Sequence, residues 1–581
     1  MTLDSATSDP AWADEAWIHK PAQAVLSAAD EAGTGPLAGL RFAVKDNIDA
    51  AGLPTTAACP AFAYTPPAHA AVVQKLLDAG AQLAGKTNLD QFACGLNGTR
   101  SPFGAVPNAL NPLYVSGGSS SGSAYVVATG QVDFALGTDT AGSGRVPAGL
   151  NNIVGLKPSR GLISARGVVP AAQSVDCVSI LARTVATAVR VLEAAMGHDP
   201  LDAWSRKLVM ASKAWPAAFR FGIPSAPEFY GDAAAEAAFG DAIVRLQAMG
   251  GTAVPVDFRP LAEVASLLYE SALVAERYTA IRGFFDAHEG EVIEPVRSII
   301  AAGRNYSAAD LYEVQTRVKL LGQQADAMWA QTDCLLVPTA PTHYTIAQMQ
   351  RDPVALNRKL GAYTNFVNLL DYAALSVPSS MRADGLPFGI TLIGPSGSDW
   401  QLAELGQRYH HQTGLLLGAT GEPLPAMQPV AGLSPHPTPL PTSERAKTVK
   451  VAVVGAHLSG MPLNGQLTQR GATLVCNTET AAHYRLYALP GTTPPKPGLL
   501  RVAPNQGVRI ALEIWDMPLT EYGSFVALIP APLGIGTLEL GDGSSVQGFV
   551  CEVQALQGGA RDISHLGGWR AYIQSLKPLA V

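Results

Sequence analysis

The hydrophobic positions in most of the chain alternate between helical and strand periodicity. Residues 68–80 carry apolar side chains at helical spacing and stop at a glycine, which predicts a helix. Short apolar runs over 39–49, 81–88 and 333–340 predict strands. Residues 261–280 keep an amphipathic helical period throughout, which predicts one long helix. Strands that alternate with helices favour an α/β fold, in which helices cover both faces of a mixed central sheet.

The composition changes near residue 430. Seven prolines fall within the nineteen residues 423–441, among Ser, Thr and Gly, and this favours an extended linker. The segments with strand character beyond it are 450–456, 472–489, 508–517 and 545–556. We therefore expect a large domain over 1–425, a linker over 426–446, and a smaller α+β or barrel-like domain over 447–581.

Composition and charge exclude several classes of protein. The 581 residues include 40 basic and 47 acidic side chains, for a net charge of −7, and there is no basic tract. We therefore expect no nucleic acid as a partner. No run of 18 apolar residues occurs and residues 1–17 are acidic and polar, so we expect neither a membrane span nor a secretory signal. The six cysteines lie far apart, which predicts free thiols in the cytoplasm. No His, Cys or Asp cluster has the spacing of metal ligands, so we expect no metal or cofactor.

Residues 117–149 hold two Gly/Ser clusters on either side of an apolar, helix-like segment. A flexible linker would not contain such a segment, and a phosphate-binding loop would need the lysine of G-x-x-x-x-G-K-[ST], which is absent. Residues 118–122 also match G-x-S-x-G, which would make Ser120 the nucleophile of a Ser-His-Asp hydrolase. That reading needs a histidine in a suitable context, and none of the downstream histidines has one. On the residues alone, these alternatives stay open.

The same region resembles the defining sequence of the amidase signature family. The segments that carry the resemblance are 42–49, 117–124, 135–161, 364–380 and 385–394. The first resembles the family's lysine-bearing strand, and the last two resemble its closing strands. Together they cover roughly residues 35–410. The resemblance implies the amidase-signature fold and an amidohydrolase.

Carried over to the matching positions, the family's catalytic groups form a Ser–cis-Ser–Lys triad. Ser143 matches the nucleophile, Ser119 the serine that follows a cis peptide bond, and Lys45 the terminal base. A serine hydroxyl needs a base within hydrogen-bonding reach. A lysine can serve as that base only when burial lowers its pKa enough to keep it neutral. Lys45 would then take the proton of Ser143 through Ser119.

The resemblance also implies an oxyanion hole beside the nucleophile. The backbone N–H groups of Thr140, Ala141 and Gly142 would point at the developing oxyanion. One such donor often contributes ~3–4 kcal/mol to the stability of the transition state. Ala141 stands where a glycine is common in the family, which narrows the space beside the nucleophile and indicates a specialised substrate.

Four neighbouring residues have a structural interpretation. Asp139 and Arg145 flank the nucleophile, and we expect them to form an internal ion pair or to give hydrogen-bond support rather than to act in catalysis. Lys86 could compete with Lys45 as the base, but it lies in a scaffold segment of the family. Cys94 lies in a segment that borders the substrate site in relatives, and we expect it to pack in the core.

Residues 267–278 resemble the substrate-binding segment of allophanate hydrolases within this family. Tyr269 and Arg277 match its substrate-contacting tyrosine and arginine. Eight residues advance a helix by about 800°, which would leave the two side chains about 80° apart at one pocket mouth. Allophanate, or urea carboxylate, ends in a carboxylate that a guanidinium can bind through two hydrogen bonds. A surface arginine paired with Glu276 or another local acid is the alternative.

The C-terminal residues resemble the domain that follows the amidase domain in allophanate hydrolases. Segments 451–467, 491–502 and 530–552 carry this resemblance, which implies a γ-glutamylcyclotransferase-like fold. In the family, this domain is implicated in the decarboxylation of N-carboxycarbamate, and His457 matches the histidine proposed to act there. A histidine in a Gly-flanked turn is suited to proton transfer near neutral pH. By sequence alone, a structural histidine is the alternative.

The function implied by the resemblance is hydrolysis of allophanate to ammonia and N-carboxycarbamate, then release of CO2 and a second ammonia. This reaction serves the breakdown of urea or of triazines. The expected partner is this small-molecule substrate, and we expect a homo-oligomer. A general amidase or one component of an amidotransferase is the alternative within the family, although both would lack the C-terminal domain. That domain could also hold oligomers together without doing chemistry.

Overall fold

The computed structural model describes residues 12–20, 34–430, 433 and 448–576. Contacts divide the chain into two compact units, Met1–Thr438 and Pro439–Val581. The linker predicted over 426–446 lies mostly outside the described residues, as do the first eleven residues of the chain.

The first unit is built on one mixed sheet, to which eleven strands of the described residues contribute. These strands are β1 Trp17–His19, β2 Arg41–Lys45, β3 Gln82–Thr87, β4 Phe134–Asp139, β5 Val154–Lys157, β6 Cys177–Ala182, β7 Phe219–Pro224, β8 Gly251–Val256, β9 Cys334–Pro338, β10 Ala373–Met381 and β11 Pro387–Gly394. Their order across the sheet is β1-β3-β2-β4-β6-β5-β10-β11-β9-β7-β8. β2 runs parallel to β3 and β4, and β7 runs parallel to β8 and β9, whereas the other pairs are antiparallel.

Helices cover both faces of this sheet. They are α1 Ala71–Asp78, α2 Ser121–Ala128, α3 Val146–Leu150, α4 Val185–Ala195, α5 Ala233–Ala248, α6 Arg259–Glu270, α7 Ala275–His288, α8 Val296–Ala301, α9 Ala308–Asp326, α10 Ile346–Arg351, α11 Ala355–Leu360, α12 Asn365–Leu369 and α13 Asp399–Thr413. Phe134 and Leu136 of β4 lie in the main apolar core, whereas Ala135 between them packs in a second cluster with Ala124 of α2. Side chains alternate across a strand, so both faces are buried. The prediction of an α/β fold with a mixed, helix-covered sheet is confirmed.

Residues 261–280 are not the single helix that their apolar period predicts. α6 ends at Glu270 and α7 begins at Ala275, because Ser271 between them has an extended backbone, with φ −143° and ψ −178°. The Ser271 hydroxyl donates a hydrogen bond to the Leu267 carbonyl and accepts one from the Leu273 N–H. A serine side chain that bonds nearby backbone groups competes with the helix in this way. The prediction of one helix is therefore wrong here.

Other local predictions are confirmed in the first unit. Residues 68–80 contain α1, and the three short apolar runs contain β2, β3 and β9. The segment 364–380, which resembles closing strands, starts with the short helix α12 before β10 begins. None of the described helices is long and apolar enough to cross a membrane. The six cysteines are free thiols, and all but Cys476 are buried.

The second unit combines strands and helices, which confirms the α+β prediction. Its strands are β12 Thr448–Val453, β13 Thr473–Glu479, β14 Tyr484–Ala488, β15 Pro497–Arg501, β16 Ala511–Pro518, β17 Leu533–Glu539, β18 Ser545–Cys551 and β19 Arg561–Asp562. Its helices are α14 Gly465–Thr468, α15 Leu519–Val526 and α16 Trp569–Ser575. The described strands form a five-stranded sheet, β13-β16-β12-β18-β17, and a three-stranded sheet, β15-β14-β19. The strand segment predicted over 472–489 is thus divided between two sheets.

Short 3-10 helices join these elements in both units. Those in the described residues are Asp14–Ala16, Pro60–Phe62, Gln91–Ala93, Ala272–Val274, Glu289–Glu291, Ala302–Asn305, Ala327–Ala330, Val553–Gly558 and Ser564–Leu566.

Candidate active site

The ends of two parallel strands set the position of the candidate site. Lys45 is the last residue of β2, and Asp139 is the last residue of β4, which pairs with β2 in parallel. Because parallel strands end at the same edge of a sheet, the turn that leaves β4 lies beside Lys45. Ser119 comes just before α2, which packs against both strands. Three segments that are distant in sequence therefore meet at one edge of the sheet.

Lys45 and Ser119 are in direct contact. Lys45 Nζ donates hydrogen bonds to Ser119 Oγ and to Thr138 Oγ1, each at 2.7 Å. Lys45 and Ser119 are fully buried, and the Gly118–Ser119 peptide bond is cis. Burial lowers the pKa of Lys45 to about 7, although nearby carboxylates oppose the shift. Near neutral pH, a large share of this lysine is therefore an uncharged amine that can accept a proton.

Ser143 lies beside this pair without a hydrogen bond to it. Its hydroxyl donates to the Gly95 carbonyl at 3.3 Å, and its own carbonyl accepts from the Ser120 N–H at 3.3 Å. In the described part of the chain, no hydrogen bond joins Ser143 Oγ to Ser119 Oγ. Rotation of the Ser143 hydroxyl away from Gly95 is therefore needed to complete the predicted triad, and such contacts often tighten only when substrate is bound.

A buried carboxylate organises the turn that carries Ser143. Asp139 accepts hydrogen bonds from the N–H of Gly142 at 2.8 Å, from the N–H of Gly144 at 3.1 Å, and from Arg145 Nε at 2.9 Å. Burial alone would raise the pKa of Asp139, but the charge and hydrogen bonds of Arg145 hold it below its usual value. The expected Asp139–Arg145 ion pair is confirmed, with both side chains fully buried.

The same bonds correct one expectation for the oxyanion hole. The Gly142 N–H is committed to Asp139, so the prediction that it faces the oxyanion is wrong in this structure. Among the described residues, no acceptor is found for the N–H groups of Thr140, Ala141 or Ser143, which leaves these donors available. Gly142 serves the turn differently, since its φ is +125° and a Cβ there would lie 2.3 Å from Thr364 Oγ1.

Two side chains from α12 and its start hold the nucleophile turn, and sequence reasoning missed both. Thr364 Oγ1 donates to the Ala141 carbonyl at 2.7 Å, and Asn368 Nδ2 donates to the Asp139 carbonyl at 2.6 Å. Both residues lie in the segment 364–380 that resembles the family's closing strands. The family resemblance pointed to this segment but predicted strands there. Its first residues form a helix instead, and that helix directs Thr364 and Asn368 to the turn.

Tyr269 and Arg277 meet although they lie on different helices. Arg277 Nη2 donates to the Tyr269 hydroxyl at 3.2 Å, and Arg277 Cζ lies 5.0 Å from the centre of the tyrosine ring. Arg277 is only 3% exposed, and its Nε and Nη1 atoms are buried without a hydrogen-bond partner in the described part of the chain. The alternative of a surface arginine paired with Glu276 is wrong, because the Glu276 carboxylate accepts the N–H and the hydroxyl of Ser174, each at 2.7 Å.

The loop that contains Ser174 and Asp176 connects the helix of Arg277 to the nucleophile turn. Ser174 is hydrogen-bonded to Glu276, the residue before Arg277, and lies two residues before Asp176. Asp176 accepts a hydrogen bond from Thr140 Oγ1 in the turn that carries Ser143, and another from the Ala171 N–H at 2.8 Å. The positive charge of Arg277 also helps to lower the pKa of Lys45. The structure therefore gathers the predicted substrate residues and the predicted triad in one buried region.

The residues considered as an alternative base and an alternative nucleophile have structural partners instead. Lys86 Nζ forms a buried ion pair with Asp46 Oδ1 at 3.1 Å and also bonds Thr55 Oγ1 at 2.6 Å. The Ser120 hydroxyl bonds both the N–H and the carbonyl of Thr138, each at 3.3 Å. Cys94 is fully buried, as expected of a packing residue. Each of these side chains supports the scaffold of the site.

His457 lies in the second unit, beside a cavity of about 260 Å³. Its Nε2 is 2.9 Å from Gln466 Oε1, and its ring stacks on Phe549 with 4.9 Å between ring centres. Burial lowers the pKa of His457 below its usual value, although the Gln466 hydrogen bond opposes the shift. Among the described residues of both units, no cluster of three or more His, Cys, Asp or Glu could hold a metal ion.

Comparisons with known proteins agree with this arrangement. The amidase family matches residues 11–403, and the allophanate hydrolase C-terminal domain matches residues 449–574. Urea amidolyase of Saccharomyces cerevisiae is 44% identical over 590 residues, covering 99% of this chain and 32% of its own. This chain thus spans about a third of the length of that relative.

Two further proteins match different shares of the chain. The solved structure of Kluyveromyces lactis allophanate hydrolase is 42% identical, with a TM-score of 0.69, covering 97% of this chain and 94% of its own. The glutamyl-tRNA(Gln) amidotransferase of Haloarcula marismortui has a subunit that is 34% identical over 408 residues, covering 64% of this chain and 95% of its own. The chain therefore belongs to the amidase family of amidohydrolases, and its second unit belongs to the allophanate hydrolase C-terminal domain family.

Proposed function

We propose that this chain hydrolyses the terminal amide of allophanate, releasing ammonia and N-carboxycarbamate, with Ser143 as the nucleophile. The proposal rests on the buried Arg277 guanidinium, whose positive charge acts on the pKa of Lys45. It is supported by the full-length similarity to an allophanate hydrolase from Kluyveromyces lactis.

The observation that carries the proposal is the pair of unsatisfied donors on Arg277. Its Nε and Nη1 are buried and have no partner in the described residues, whereas Nη2 is held by Tyr269. A buried donor without an acceptor is unfavourable, and a charged one more so. A carboxylate accepts such charge-assisted hydrogen bonds, and it can take two at once along the edge formed by Nη1 and the second N–H of Nη2, or one from Nε. Allophanate carries such a carboxylate at one end and the scissile amide at the other, so one small site can bind the first and cleave the second.

Acylation begins with proton transfer along the triad. The Ser143 hydroxyl turns from the Gly95 carbonyl to Ser119 Oγ, and Ser119 passes its proton to the neutral amine of Lys45. Ser143 Oγ then attacks the amide carbon, and the oxygen of the amide gains negative charge. The free N–H groups of Thr140 and Ala141 stabilise that charge as hydrogen-bond donors. Lys45 returns the proton through Ser119 to the leaving nitrogen, which departs as ammonia.

Deacylation uses the same groups in the opposite direction. Water replaces ammonia and gives its proton through Ser119 to Lys45 as it attacks the acyl carbon. The ester bond to Ser143 Oγ breaks, and Ser143 recovers its proton. The product is N-carboxycarbamate, which bears two carboxylates on one nitrogen. Arg277 remains paired with the carboxylate that was present in the substrate.

For the second unit, we propose that it removes CO2 from N-carboxycarbamate, with His457 as the proton donor. The cavity beside His457 supports this role. The matched test is His457→Gln in the full chain, with release of the first ammonia as an internal reference. We expect N-carboxycarbamate to accumulate in 13C NMR spectra. Accumulation equal to that of the wild type would favour a domain used only for assembly.

The main experiment compares substrates. We expect allophanate to yield two ammonia molecules per molecule consumed, with a kcat/KM far above that for acetamide or malonamide. Equal kcat/KM values for allophanate and acetamide would instead show a general amidase. The names of the curated relatives favour urea, rather than triazines, as the source of the allophanate. We also propose that the enzyme works in the cytoplasm as a homo-oligomer.

A further inference from the structure

The cavity beside His457 contains one cationic side chain. Among the described residues that line it, Lys496 alone carries a permanent charge, and no carboxylate lines the wall. His457 and Gln466 supply its other polar side chains together with Thr493, and apolar groups such as Phe549 form much of the remainder. With a volume of about 260 Å³ and a lysine in its wall, the cavity can hold a small anionic ligand.

The Lys496 backbone is fixed, whereas its ammonium group is free. The Lys496 N–H donates to Thr492 Oγ1 at 2.9 Å, and the Lys496 carbonyl accepts from the Leu489 N–H at 3.1 Å. Within the described part of the chain, no acceptor lies within hydrogen-bonding or ion-pair distance of Lys496 Nζ. A lysine with no acidic partner at the wall of a cavity is available for an anionic ligand.

Close packing holds Lys496 and His457 at the same cavity. Gly455 lies two residues before His457, and a Cβ at Gly455 would be 2.3 Å from the ring of Pro497. The segment that carries Lys496 therefore packs directly on the turn that carries His457. The charge of Lys496 is near enough to contribute to the lowered pKa of the histidine, after the larger effect of burial.

We propose that Lys496 is the anion-binding residue of this cavity and holds one carboxylate of N-carboxycarbamate, a dicarboxylate formed by the first unit. The identity of the ligand rests on the proposed function, whereas the binding of a small dicarboxylate at Lys496 does not. Lys496 retains the carboxylate that stays, and the other carboxylate, which has no second lysine or arginine among the described lining residues, is the one that leaves.

Each loss of CO2 from N-carboxycarbamate consumes one proton. The C–N bond to the departing carboxylate breaks, its electron pair stays on nitrogen, and the carbon leaves as CO2. The nitrogen takes a proton, which His457 supplies, and carbamate remains at Lys496. A second proton and a second C–N cleavage give ammonia and CO2. Binding a dianion favours the protonated form of His457, because opposite charges attract.

The binding test uses malonate, in which CH2 replaces the NH of N-carboxycarbamate. Histidine labelled with 13C reports on the cavity, and His457→Asn assigns the signal. Malonate is expected to shift the His457 resonance in the wild type and in Lys450→Gln, which removes an exposed lysine of β12. It is expected to bind about tenfold or more weakly in Lys496→Gln and to recover in Lys496→Arg. Equal affinity in Lys496→Gln and Lys450→Gln would overturn the proposal.

The reaction test follows 13C-labelled allophanate in the same full-length variants. Lys496→Gln is expected to accumulate N-carboxycarbamate for each first ammonia released, and Lys450→Gln is expected to match the wild type. Matched melting temperatures of the two variants exclude a folding defect as the cause. A wild type that releases no ammonia from allophanate would contradict the proposed function, and the malonate titration would still decide the role of Lys496.

Discussion

Arg277 and Tyr269 are eight residues apart and face each other across a break between two helices. The Tyr269 hydroxyl accepts a hydrogen bond from Arg277 Nη2 at 3.2 Å, and the tyrosine ring lies 5.0 Å from the guanidinium carbon. Burial raises the pKa of Tyr269, so its hydroxyl stays protonated. The tyrosine therefore accepts one N–H of Nη2, while Nε and Nη1 have no acceptor among the described residues and remain for a ligand. Substitution of Arg277 therefore tests which substrate the site prefers.

Arg277→Lys is expected to lower kcat/KM for allophanate far more than for a neutral amide. Lysine keeps the charge but loses the planar pair of donors that a carboxylate needs. Loss of a charge-assisted contact costs ~1.5–3 kcal/mol, which corresponds to roughly 10- to 150-fold. The measurement is the ratio of the two losses in kcat/KM, for allophanate and for malonamide. Equal losses would show that Arg277 supports the fold or the triad instead.

The pH dependence of hydrolysis reports the protonation of Lys45. Its pKa is lowered to about 7, mainly by burial, and the amine acts as a base only when neutral. Activity is therefore expected to rise with pH through about 7 and to level off above it. The measurement is kcat/KM for a neutral amide, whose own charge does not change in this range.

Removal of the Arg277 charge tests whether this pH dependence belongs to Lys45. Because the positive charge of Arg277 helps to lower the pKa of Lys45, Arg277→Gln is expected to move the rising limb to higher pH. Arg277→Lys keeps the charge and is expected to leave the limb in place. A limb that stays fixed in both variants would assign the titration to a group other than Lys45.

Serine substitutions separate the two candidate nucleophiles. Ser143→Ala is expected to abolish ammonia release while the melting temperature changes little, since only a hydroxyl bonded to the Gly95 carbonyl is lost. Ser120→Ala removes a hydroxyl that bonds Thr138, so it is expected to retain activity with some loss of stability. An active Ser143→Ala together with an inactive Ser120→Ala would support the G-x-S-x-G interpretation instead.

The periodicity of apolar residues predicted the helix-covered mixed sheet, because that pattern is local, whereas the candidate triad segments came from the family resemblance. The periodicity failed where one side chain changed the path of the backbone. The apolar period of 261–280 continues through Ser271, but the hydroxyl of Ser271 bonds the backbone on both sides and ends the helix. The predicted meeting of Tyr269 and Arg277 was therefore right, whereas its reason, a shared helix, was wrong.

The nucleophile turn shows a second feature that the sequence did not predict correctly, which is the choice of hydrogen-bond partners. The sequence placed Gly142 among the oxyanion donors, yet the carboxylate of Asp139 takes its N–H. Thr364 and Asn368 hold the same turn from more than two hundred residues away. A local pattern cannot reveal which of several buried donors an acceptor will choose, since that choice depends on the packing of distant segments.

Asp139→Asn is expected to destabilise the first unit strongly. Arg145 would remain buried with an uncharged partner, and breaking a buried ion pair in this way costs ~3–5 kcal/mol. The amide would also have one acceptor oxygen for the Gly142 and Gly144 N–H groups, where the carboxylate has two. Loss of that anchor loosens the turn that carries Ser143, so kcat is expected to fall as well.

The matched control is Asp257→Asn, which removes a carboxylate from an exposed ion pair with Arg259. Exposed pairs contribute little because water screens both charges, so the melting temperature is expected to stay near that of the wild type. Thermal unfolding and single-turnover kinetics of both variants provide the measurement. If Asp139→Asn melted like Asp257→Asn and kept its kcat, the buried carboxylate would have no part in holding the nucleophile turn.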